Sequence, residues 1–315
     1  MTISELKAHV GEETEITVFL TDANQTANKY SNRWIDLVVC DRTGSTTLKL
    51  WAEAMSENMD PTELIGSPVV VAGQIDLWQD RGGMNVISIR KAEEGTYNMS
   101  DFFPSLDEKD ENYLLSRLDI LIGLVSDESM RSLLKLIFSE SRQKKMASKC
   151  GGTNHHAYFG GLLSHLVQTA ELAKAAADMY SVTGPYRRKV NTNLVIAGAL
   201  LHDVGKLTTL SDIPGKLSER GFNLDTATES VLYATMYNDK LSKKVKCLGP
   251  LDHIILACGK TKPRSLEAII VSNADVMSSQ VDAYGLAFAD ESGLQRGGTI
   301  SYSKLIGGYV MRGGE

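Results

Sequence analysis

Asn193–Lys206 reads NLVIAGALLHDVGK, and this stretch decides the fold of the larger part of the chain. Its first nine residues are apolar on almost every side of a helix, which is typical of a helix buried in a protein core. His202 and Asp203 follow directly at the end of that helix. An uncompensated buried carboxylate is costly, so this pair needs a positive charge nearby. A divalent metal ion supplies that charge and accepts both side chains as ligands.

Two further polar residues lie among apolar neighbours on predicted helices. His165 stands within the predicted helix Ala157–Tyr180, and Asp275 stands within the predicted helix Ser265–Phe288. Taken singly, such a residue is more often a hydrogen-bonded part of the core than a ligand. Four of them on three buried helices instead predict a metal site. The predicted ligands are His165, His202, Asp203 and Asp275.

Residues 12–92 have a different pattern, in which short strands alternate with turns. Asp41–Gly44 and Gln79–Gly83 are each flanked by strand-like segments and predict two hairpins. The order of strand, long loop, hairpin, short helix at Thr62–Ile65 and second hairpin is that of a five-stranded OB β-barrel. We therefore expect a multi-domain chain of α and β structure, in which an N-terminal OB β-barrel precedes an all-α helical domain.

The composition changes between these two parts of the chain. Gly95, Pro104 and several acidic residues lie within Glu93–Asp110, which predicts a linker. The glycine-rich C-terminus predicts a loose tail. The expected organisation is a barrel at residues 1–95, a linker at 96–112, a helical domain at 113–306 and the tail at 307–315.

The overall composition excludes several classes of protein. The chain is 43% hydrophobic and 23% charged, the balance of a globular protein. No apolar run approaches the roughly 18 residues of a membrane span, and the first residues are too polar for a signal peptide, so we expect a cytoplasmic protein with no membrane contact. The four cysteines lack the spacing of a zinc ribbon. With a net charge of −6, any nucleic-acid binding must depend on local patches and stacking.

The predicted barrel offers aromatic and basic side chains suited to a single nucleic-acid strand. Bases stack on aromatic rings, and basic groups follow the phosphates. For Trp34 and Trp51, a place in the barrel core is an equally good interpretation. The predicted binding residues are Tyr30, Arg33, Trp34, Trp78 and Arg81.

The order His165, His202–Asp203 and Asp275 resembles the H…HD…D pattern of the HD superfamily of metal-dependent phosphohydrolases. The segment Asn154–Ala157 (NHHA), with GGLLSHLVQTAELAKAAADMY shortly after it, resembles the equivalent segment of the YhaM-type 3′–5′ exoribonucleases. Those proteins also place an OB-fold before the HD domain. The resemblance extends from the barrel through Asp275, and it implies that residues 113–306 form an HD-type phosphohydrolase domain.

The resemblance also implies roles for particular residues. The predicted ligands would hold one divalent ion, with Mn²⁺ favoured. Lys206 would face the phosphate, and one of the paired histidines His155 and His156 would contact the scissile phosphate or a metal. The implied catalytic residues are Asp203, Lys206, His155 and His156.

The chain departs from the family pattern at the second metal site. Thr226–Thr235 contains no histidine, and Ala257 and Cys258 stand where family members have further ligands, so we expect one ion. The leading hypothesis is an exonuclease for single-stranded RNA, with DNA as an option. An HD-type nucleotidase or small-nucleotide phosphodiesterase remains open, as does a single-strand-binding protein with a decayed HD site. The apolar helical domain adds the hypothesis of a homo-oligomer.

Overall fold

The computed structural model describes most of the chain and divides it into two compact units. The first is built from Met1–Pro104 and the second from Ser105–Ala287, together with the C-terminal segment. The described residues are 1–27, 33–51, 60–78, 81–152, 155–182, 189–211, 213–288, 300–303 and 305–311.

The first unit is a closed five-stranded β-barrel. Its strands are β1 (Glu13–Ala27), β2 (Arg33–Asp41), β3 (Gly44–Trp51), β4 (Ser67–Trp78) and β5 (Arg81–Lys91). Their spatial order is β1-β2-β3-β5-β4, and antiparallel pairing of β4 with β1 closes the barrel. Strands β3 and β5 pair in parallel. This arrangement is that of an OB-fold, so the predicted barrel is confirmed.

The barrel forms because alternate residues of each strand are apolar and point inward. On β3, Leu48 and Leu50 are fully buried, and on β4, Val69 and Val71 are fully buried. A short 3-10 helix at Ile3–Ala8 adds two apolar side chains to the same core. Burial of these side chains is the main stabilising contribution to the unit.

Strand β1 is longer than the sequence pattern predicts. The alternation of polar and apolar residues predicts a strand at Glu15–Leu20 and a loop from Asn24, but β1 continues to Ala27. Its polar second half still pairs with β2, and the hydroxyl of Thr26 donates to Asp36 at 3.0 Å. The second half of β1 is therefore predicted wrongly as a loop, because its side chains are polar and hydrogen-bond across the sheet.

The segment predicted as a linker contains ordered structure. A 3-10 helix occupies Met99–Asp101, and the first helix of the second unit begins at Glu108. Phe102 is buried, and its ring centroid lies 6.0 Å from that of Phe19 on β1. The acidic composition of the segment conceals this apolar contact with the barrel.

The second unit is mainly helical, as the sequence predicts. Its helices are α1 (Glu108–Leu124), α2 (Glu128–Ile137), α3 (Glu140–Ala147), α4 (Gly161–Val182), α5 (Thr192–Leu201), α6 (Lys206–Thr209), α7 (Glu219–Asn223), α8 (Thr226–Asp239), α9 (Leu248–Ala257) and α10 (Leu266–Phe288). The unit also contains a two-stranded sheet of β6 (Ile300–Ser303) and β7 (Gly308–Met311). It is therefore not purely α-helical.

The small sheet includes part of the segment predicted as a loose tail. Gly307 adopts a positive φ of 72°, which glycine tolerates, and lets the chain turn into β7. Tyr302 and Tyr309 pair across the two strands with ring centroids 5.5 Å apart. The glycines here mark a turn into a strand.

Helix α5 lies at the centre of the helical unit. Every residue from Leu194 to Leu201 is buried, which confirms the predicted core helix. The side chain of Asn191 caps its first turn by accepting from Leu194 N. Helix α4 begins at Gly161, later than predicted, because Gly160 takes a positive φ of 84° that ends the preceding loop. None of the described helices has the length and apolarity needed to span a bilayer.

Gly73→Ala is expected to destabilise the barrel by about 1–3 kcal/mol, because overpacking forces backbone shifts. A Cβ at this position would lie 2.1 Å from the carbonyl oxygen of Asn85 on β5. Urea unfolding followed by tryptophan fluorescence measures the effect, since all three tryptophans lie in the barrel. Gly123→Ala on α1 is the control, because a Cβ there meets no atom within 4 Å. An unchanged fluorescence transition in Gly73→Ala would contradict the barrel register.

Candidate metal centre and nucleic-acid face

Three helices of the second unit carry the predicted metal ligands. His165 lies on α4 and is fully buried among Leu162, Leu163 and Leu166. The cap residue His202 ends α5, and Asp203 follows it in the turn before α6. Asp275 lies on α10 with a side chain that is 16% exposed. The apolar faces of these helices fix where the four polar side chains lie.

The donor atoms of the four predicted ligands converge on one point. His165 Nε2 lies 3.1 Å from His202 Nε2 and 3.1 Å from Asp275 Oδ1. His202 Nε2 lies 3.6 Å from the same carboxylate oxygen. Asp203 Oδ2 lies 3.5 Å from His165 Nε2 and 3.6 Å from His202 Nε2. The structure therefore brings together all four residues that the sequence selects.

These separations suit a divalent ion. Two ligand atoms that are each about 2.1 Å from one ion lie about 3.0–3.4 Å apart in octahedral or tetrahedral coordination. Imidazole nitrogens and carboxylate oxygens are also a donor set that such ions accept. His165, His202 and Asp275 form one of the groups of metal-type donors among the described residues. The residues present thus fit the ion that the sequence predicts.

Hydrogen bonds behind the centre direct both imidazoles toward it. His202 Nδ1 donates to the carbonyl oxygen of Ala199 at 2.7 Å, which leaves the lone pair on Nε2. Ser278 Oγ donates to Gln168 Oε1 at 3.2 Å, so its oxygen is free to accept from His165 Nδ1, also 3.2 Å away. Both Nε2 atoms can therefore act as ligands.

The charges of the centre favour a cation. Burial favours the neutral form of His202, but the carboxylates of Asp203 and Asp275 outweigh burial and raise the pKa of His202 to about 9. Burial lowers the pKa of His165 to about 4. Burial also opposes ionisation of Asp275, yet the charge of His202 and the close contacts with both imidazoles hold its pKa below the usual carboxyl value. A divalent ion would replace the proton on His202, because it supplies the charge that both carboxylates attract.

Lys206 begins α6 and turns back toward the HD pair. Its Nζ lies 2.5 Å from Asp203 Oδ2 and also donates to the carbonyl oxygen of Gly151. The side chain is only 12% exposed, so it is not a solvated lysine at a helix end. The structure places this predicted catalytic residue beside the predicted ligands.

The paired histidines lie next to His165. The ring centroids of His155 and His156 are 5.5 Å and 5.0 Å from that of His165. His156 is fully buried and has a positive φ of 48°, which is rare outside glycine. Its backbone N–H donates to Asp282, and its Nε2 lies 3.0 Å from Gln168 Oε1. Both histidines thus border the predicted metal centre.

Three residues that the sequence does not single out complete the site. Ser278 and Asp282 follow Asp275 on α10 by three and seven residues, which places them on one face of the helix. Gln168 follows His165 on α4 by three residues and shares its face in the same way. Helical spacing from the predicted ligands is the signal that identifies them.

Helices α8 and α9 lie where the family has its downstream histidines. Among the described residues, neither helix contributes a side chain to a group of metal-type donors. On α8, Ser230 Oγ accepts from Gly205 N at 2.9 Å, next to the HD pair. After α9, the Cys258 thiol donates to the carbonyl oxygen of Ile254 at 3.5 Å. Burial and the nearby carboxylates raise the pKa of this thiol, so it stays protonated.

The predicted nucleic-acid residues of the barrel fall on strands β2, β4 and β5. Trp34 pairs with Trp51 across β2 and β3, with ring centroids 5.5 Å apart, and both side chains are only half-buried. The core interpretation of these two tryptophans is therefore incomplete. Arg33 and Arg81 begin β2 and β5, where the structure describes their backbone alone. Tyr30 lies outside the described residues.

Lys49 on β3 lies among all three tryptophans of the chain. Its Nζ is 5.1 Å from the ring centroid of Trp34, 5.9 Å from that of Trp51 and 4.9 Å from that of Trp78. Gly83 leaves room for Trp78, because a Cβ there would lie 2.3 Å from the indole ring. Lys49 and Trp78 line a pocket of about 340 Å³. We call these four side chains the tryptophan–lysine cluster.

Comparison with known proteins relates the helical unit to a described family. Residues 162–280, which contain every predicted ligand, match the family described as HD domain. Over 203 residues, or 64% of its length, the chain is 27% identical to the 3′-5′ exoribonuclease YhaM of Geobacillus sp. (strain WCH70). The aligned region spans 60% of that relative.

A solved structure is also similar to part of the chain. The second OB-fold domain of replication protein A from Methanococcus maripaludis aligns with 28% of this chain and 91% of its own, at 18% identity and a TM-score of 0.22. The family and relative matches confirm the predicted resemblance, and they support the prediction of a metal-dependent hydrolase.

Asp275→Asn is expected to abolish stabilisation of the protein by Mn²⁺. An ion that binds only the folded state stabilises it by about 2.7 kcal/mol at a concentration of 100 times its Kd. The thermal midpoint of the wild type should therefore rise with added Mn²⁺, whereas that of the variant should not. Asp178→Asn on α4 is a matched control, since Asp178 is 55% exposed and pairs with Lys174. An equal response of Asp275→Asn and wild type would exclude the HD residues as the binding site.

Proposed function

We propose that this protein is a metal-dependent 3′–5′ exonuclease that shortens single-stranded RNA, with Mn²⁺ as its ion. The observation that carries the proposal is the convergence of His165, His202, Asp203 and Asp275, in which both histidine Nε2 atoms lie within 3.6 Å of a carboxylate oxygen of each aspartate. The HD domain match and the similarity to an exoribonuclease support the reaction class. The barrel supports a polymeric substrate, because such barrels bind oligonucleotides.

The four ligands would hold the ion at the end of α5. When bound, a divalent ion lowers the pKa of a coordinated water and neutralises charge on the phosphoryl oxygens. The lowered pKa of Asp203 and of Asp275 keeps both carboxylates ionised at neutral pH, as ligands must be. Asp203 would also accept a hydrogen bond from the attacking water and orient it.

Lys206 would stabilise the phosphoryl group as charge develops on its oxygens. An ammonium group has three N–H donors, and the described contacts to Asp203 and Gly151 use two of them. The remaining donor is suited to a phosphoryl oxygen. The contact with Asp203 fixes the ammonium group beside the ligands, so little reorganisation is needed when substrate binds.

The tryptophan–lysine cluster would hold the strand on the barrel. Trp34 Nε1 donates to Asp36 and Trp51 Nε1 donates to Asn85, each at 2.8 Å, so both rings are fixed before a base arrives. Stacking on a fixed ring costs little ordering entropy. Lys49 would contact a phosphate of the bound nucleic acid. Arg33, Arg81 and Tyr30 are the other residues proposed to contact that nucleic-acid strand. A cytoplasmic location is part of the proposal, and a homo-oligomer stays a hypothesis.

Asp203→Asn is expected to reduce cleavage of 5′-labelled single-stranded RNA by about 10²–10³-fold, because it removes a ligand charge at the reacting phosphate. The wild type should give a ladder that shortens from the 3′ end and depends on added Mn²⁺. Asp178→Asn should cleave like the wild type.

Other outcomes of this assay point to the alternatives. Turnover of free nucleotides without cleavage of oligomers indicates a nucleotidase. Tight, salt-dependent strand binding without hydrolysis under any divalent ion indicates a binding protein with an inactive HD site.

Trp78→Ala is expected to weaken binding of single-stranded RNA by about 1–3 kcal/mol, which is the contribution of one stacked base. Fluorescence anisotropy of a labelled oligonucleotide, measured at one salt concentration in the Asp203→Asn background, avoids degradation of the probe. Leu77→Ala is the control, since Leu77 precedes Trp78 on β4, points to the opposite face and is 41% exposed. Equal loss of binding in both variants would remove the tryptophan–lysine cluster from the binding surface.

A further inference from the structure

A second group of nitrogen donors lies next to the HD ligands. His155, His156 and His165 each offer one ligand atom, and these atoms lie within 4.8 Å of one another. The ring centroids of His155 and His156 are 5.7 Å apart, with the two rings nearly perpendicular. We call His155 and His156 the upstream pair. Neither belongs to the H…HD…D ligand pattern.

The hydrogen bonds of His156 determine which of its nitrogens is available. Its Nε2 faces two acceptors, Gln168 Oε1 at 3.0 Å and Asp282 Oδ1 at 3.8 Å, so Nε2 carries the hydrogen. Its Nδ1 then presents a lone pair. That atom is buried and has no hydrogen-bond partner among the described residues. A histidine that donates one nitrogen to a carboxylate or amide and presents the other is arranged as a metal ligand.

His155 provides a second nitrogen of the same kind. Its Nδ1 is also buried and without a hydrogen-bond partner in the described part of the chain. A buried polar atom that lacks a partner costs about 1–3 kcal/mol. A single cation that binds both Nδ1 atoms would remove this cost for His155 and His156 together.

The backbone around the upstream pair is held in an unfavourable conformation. His156 has a φ of 48°, and its N–H donates to Asp282 while its carbonyl oxygen accepts from Gly151 N at 2.7 Å. A Cβ at Gly161 would lie 2.1 Å from that same carbonyl oxygen. Strain that the surroundings fix in this way is often found at binding sites.

We propose that His155 and His156 bind a second divalent cation beside the HD ligands. The inference deepens the proposed function and rests on it, because the second ion would adjoin the same phosphoryl group. A neutral imidazole has one lone pair, and His165 directs it toward His202. The upstream pair therefore supplies the protein ligands of the second ion and leaves its other positions open to water and phosphoryl oxygens, as in catalytic sites.

The donor chemistry defines the class of ion. Two imidazole nitrogens without a carboxylate suit Zn²⁺, Co²⁺ or Ni²⁺ better than Mg²⁺ or Ca²⁺. With two protein ligands, the second ion should bind more weakly than the first, which has four. The upstream pair would thus provide a second site in a chain that lacks histidines in Thr226–Thr235 and at positions 257 and 258.

The test is a count of bound Co²⁺ in the full-length protein. The chain is stripped with a chelator and dialysed against saturating Co²⁺, and cobalt per chain is measured by elemental analysis. We expect two ions in the wild type, one in the His155→Gln/His156→Gln variant and two in the control His9→Gln, whose imidazole is exposed in the barrel unit. Saturation of the wild type at one ion, or equal counts in wild type and double variant, would overturn the proposal.

Asp282→Asn gives a second test that keeps both imidazoles. It should weaken the second ion about 10–100-fold and leave the first unchanged, because it removes the carboxylate that orients His156. Asp178→Asn is again the matched control, and equal affinities in Asp282→Asn and wild type would count against the site. RNA cleavage with only one ion bound would refute the second ion and retain the exonuclease. Two bound ions without cleavage of any RNA strand would retain the second ion and refute the exonuclease.

Discussion

Two carboxylates, Asp203 and Asp275, share the same pair of buried imidazole nitrogens, and this concentration of negative charge is the constraint on which the helical unit depends. In an apolar core it is stable only if a positive charge is held at the same point. The fully buried α5 sets the position of the HD pair, and α4 and α10 bring the other two ligands to it. Because the interior is close-packed, these helices cannot shift without moving the ligand atoms.

Glycines allow the chain to close around this charge. A Cβ at Gly205, within the HDVGK turn, would lie 2.5 Å from the carbonyl oxygen of Thr226 on α8. Gly151 and Gly161 make room for His156 in the same manner. A Cβ at Gly151 would lie 2.5 Å from the Cβ of His156, and a Cβ at Gly161 would lie 2.1 Å from its carbonyl oxygen. The short distances between ligands are thus possible because backbone segments touch where a side chain would separate them.

The sequence predicts the residues that interrupt a regular pattern and misses those that do not. His165, His202 and Asp275 stand out because each breaks an apolar helical face. Gln168 occupies an exposed position of α4, where a polar residue is ordinary, and Asp282 looks like a solvated acid. The partners of Gln168 and Asp282 come from other segments of the chain. Only the packing of α4 and α10 around the loop that carries His156 reveals these contacts.

The barrel shows the same limit in another form. Its strand order follows from turns and alternation, but the second half of β1 has polar side chains on a paired strand, and Thr26 bonds to Asp36 where composition suggests a loop. Trp78 likewise packs against Gly83. The sequence predicts Gly83 as the end of a hairpin loop and Trp78 as the residue before that loop, so it does not indicate this contact. The arrangement of Lys49 among three indoles depends on the closed barrel, which no local pattern encodes.

The amide oxygen of Gln168 has a consequence for the dynamics of the site. It accepts from His156 and from Ser278, which in turn contacts His165, although the side chain itself is exposed to solvent. The hydrogen bonds of two buried imidazoles therefore lead, directly from His156 and through Ser278 from His165, to one surface group that can exchange its bonds for water. A rotamer change at this single residue would remove the acceptor of both His156 Nε2 and Ser278 Oγ while every helix stays folded, so these two hydrogen bonds should fluctuate on the nanosecond scale of surface side chains rather than that of the core.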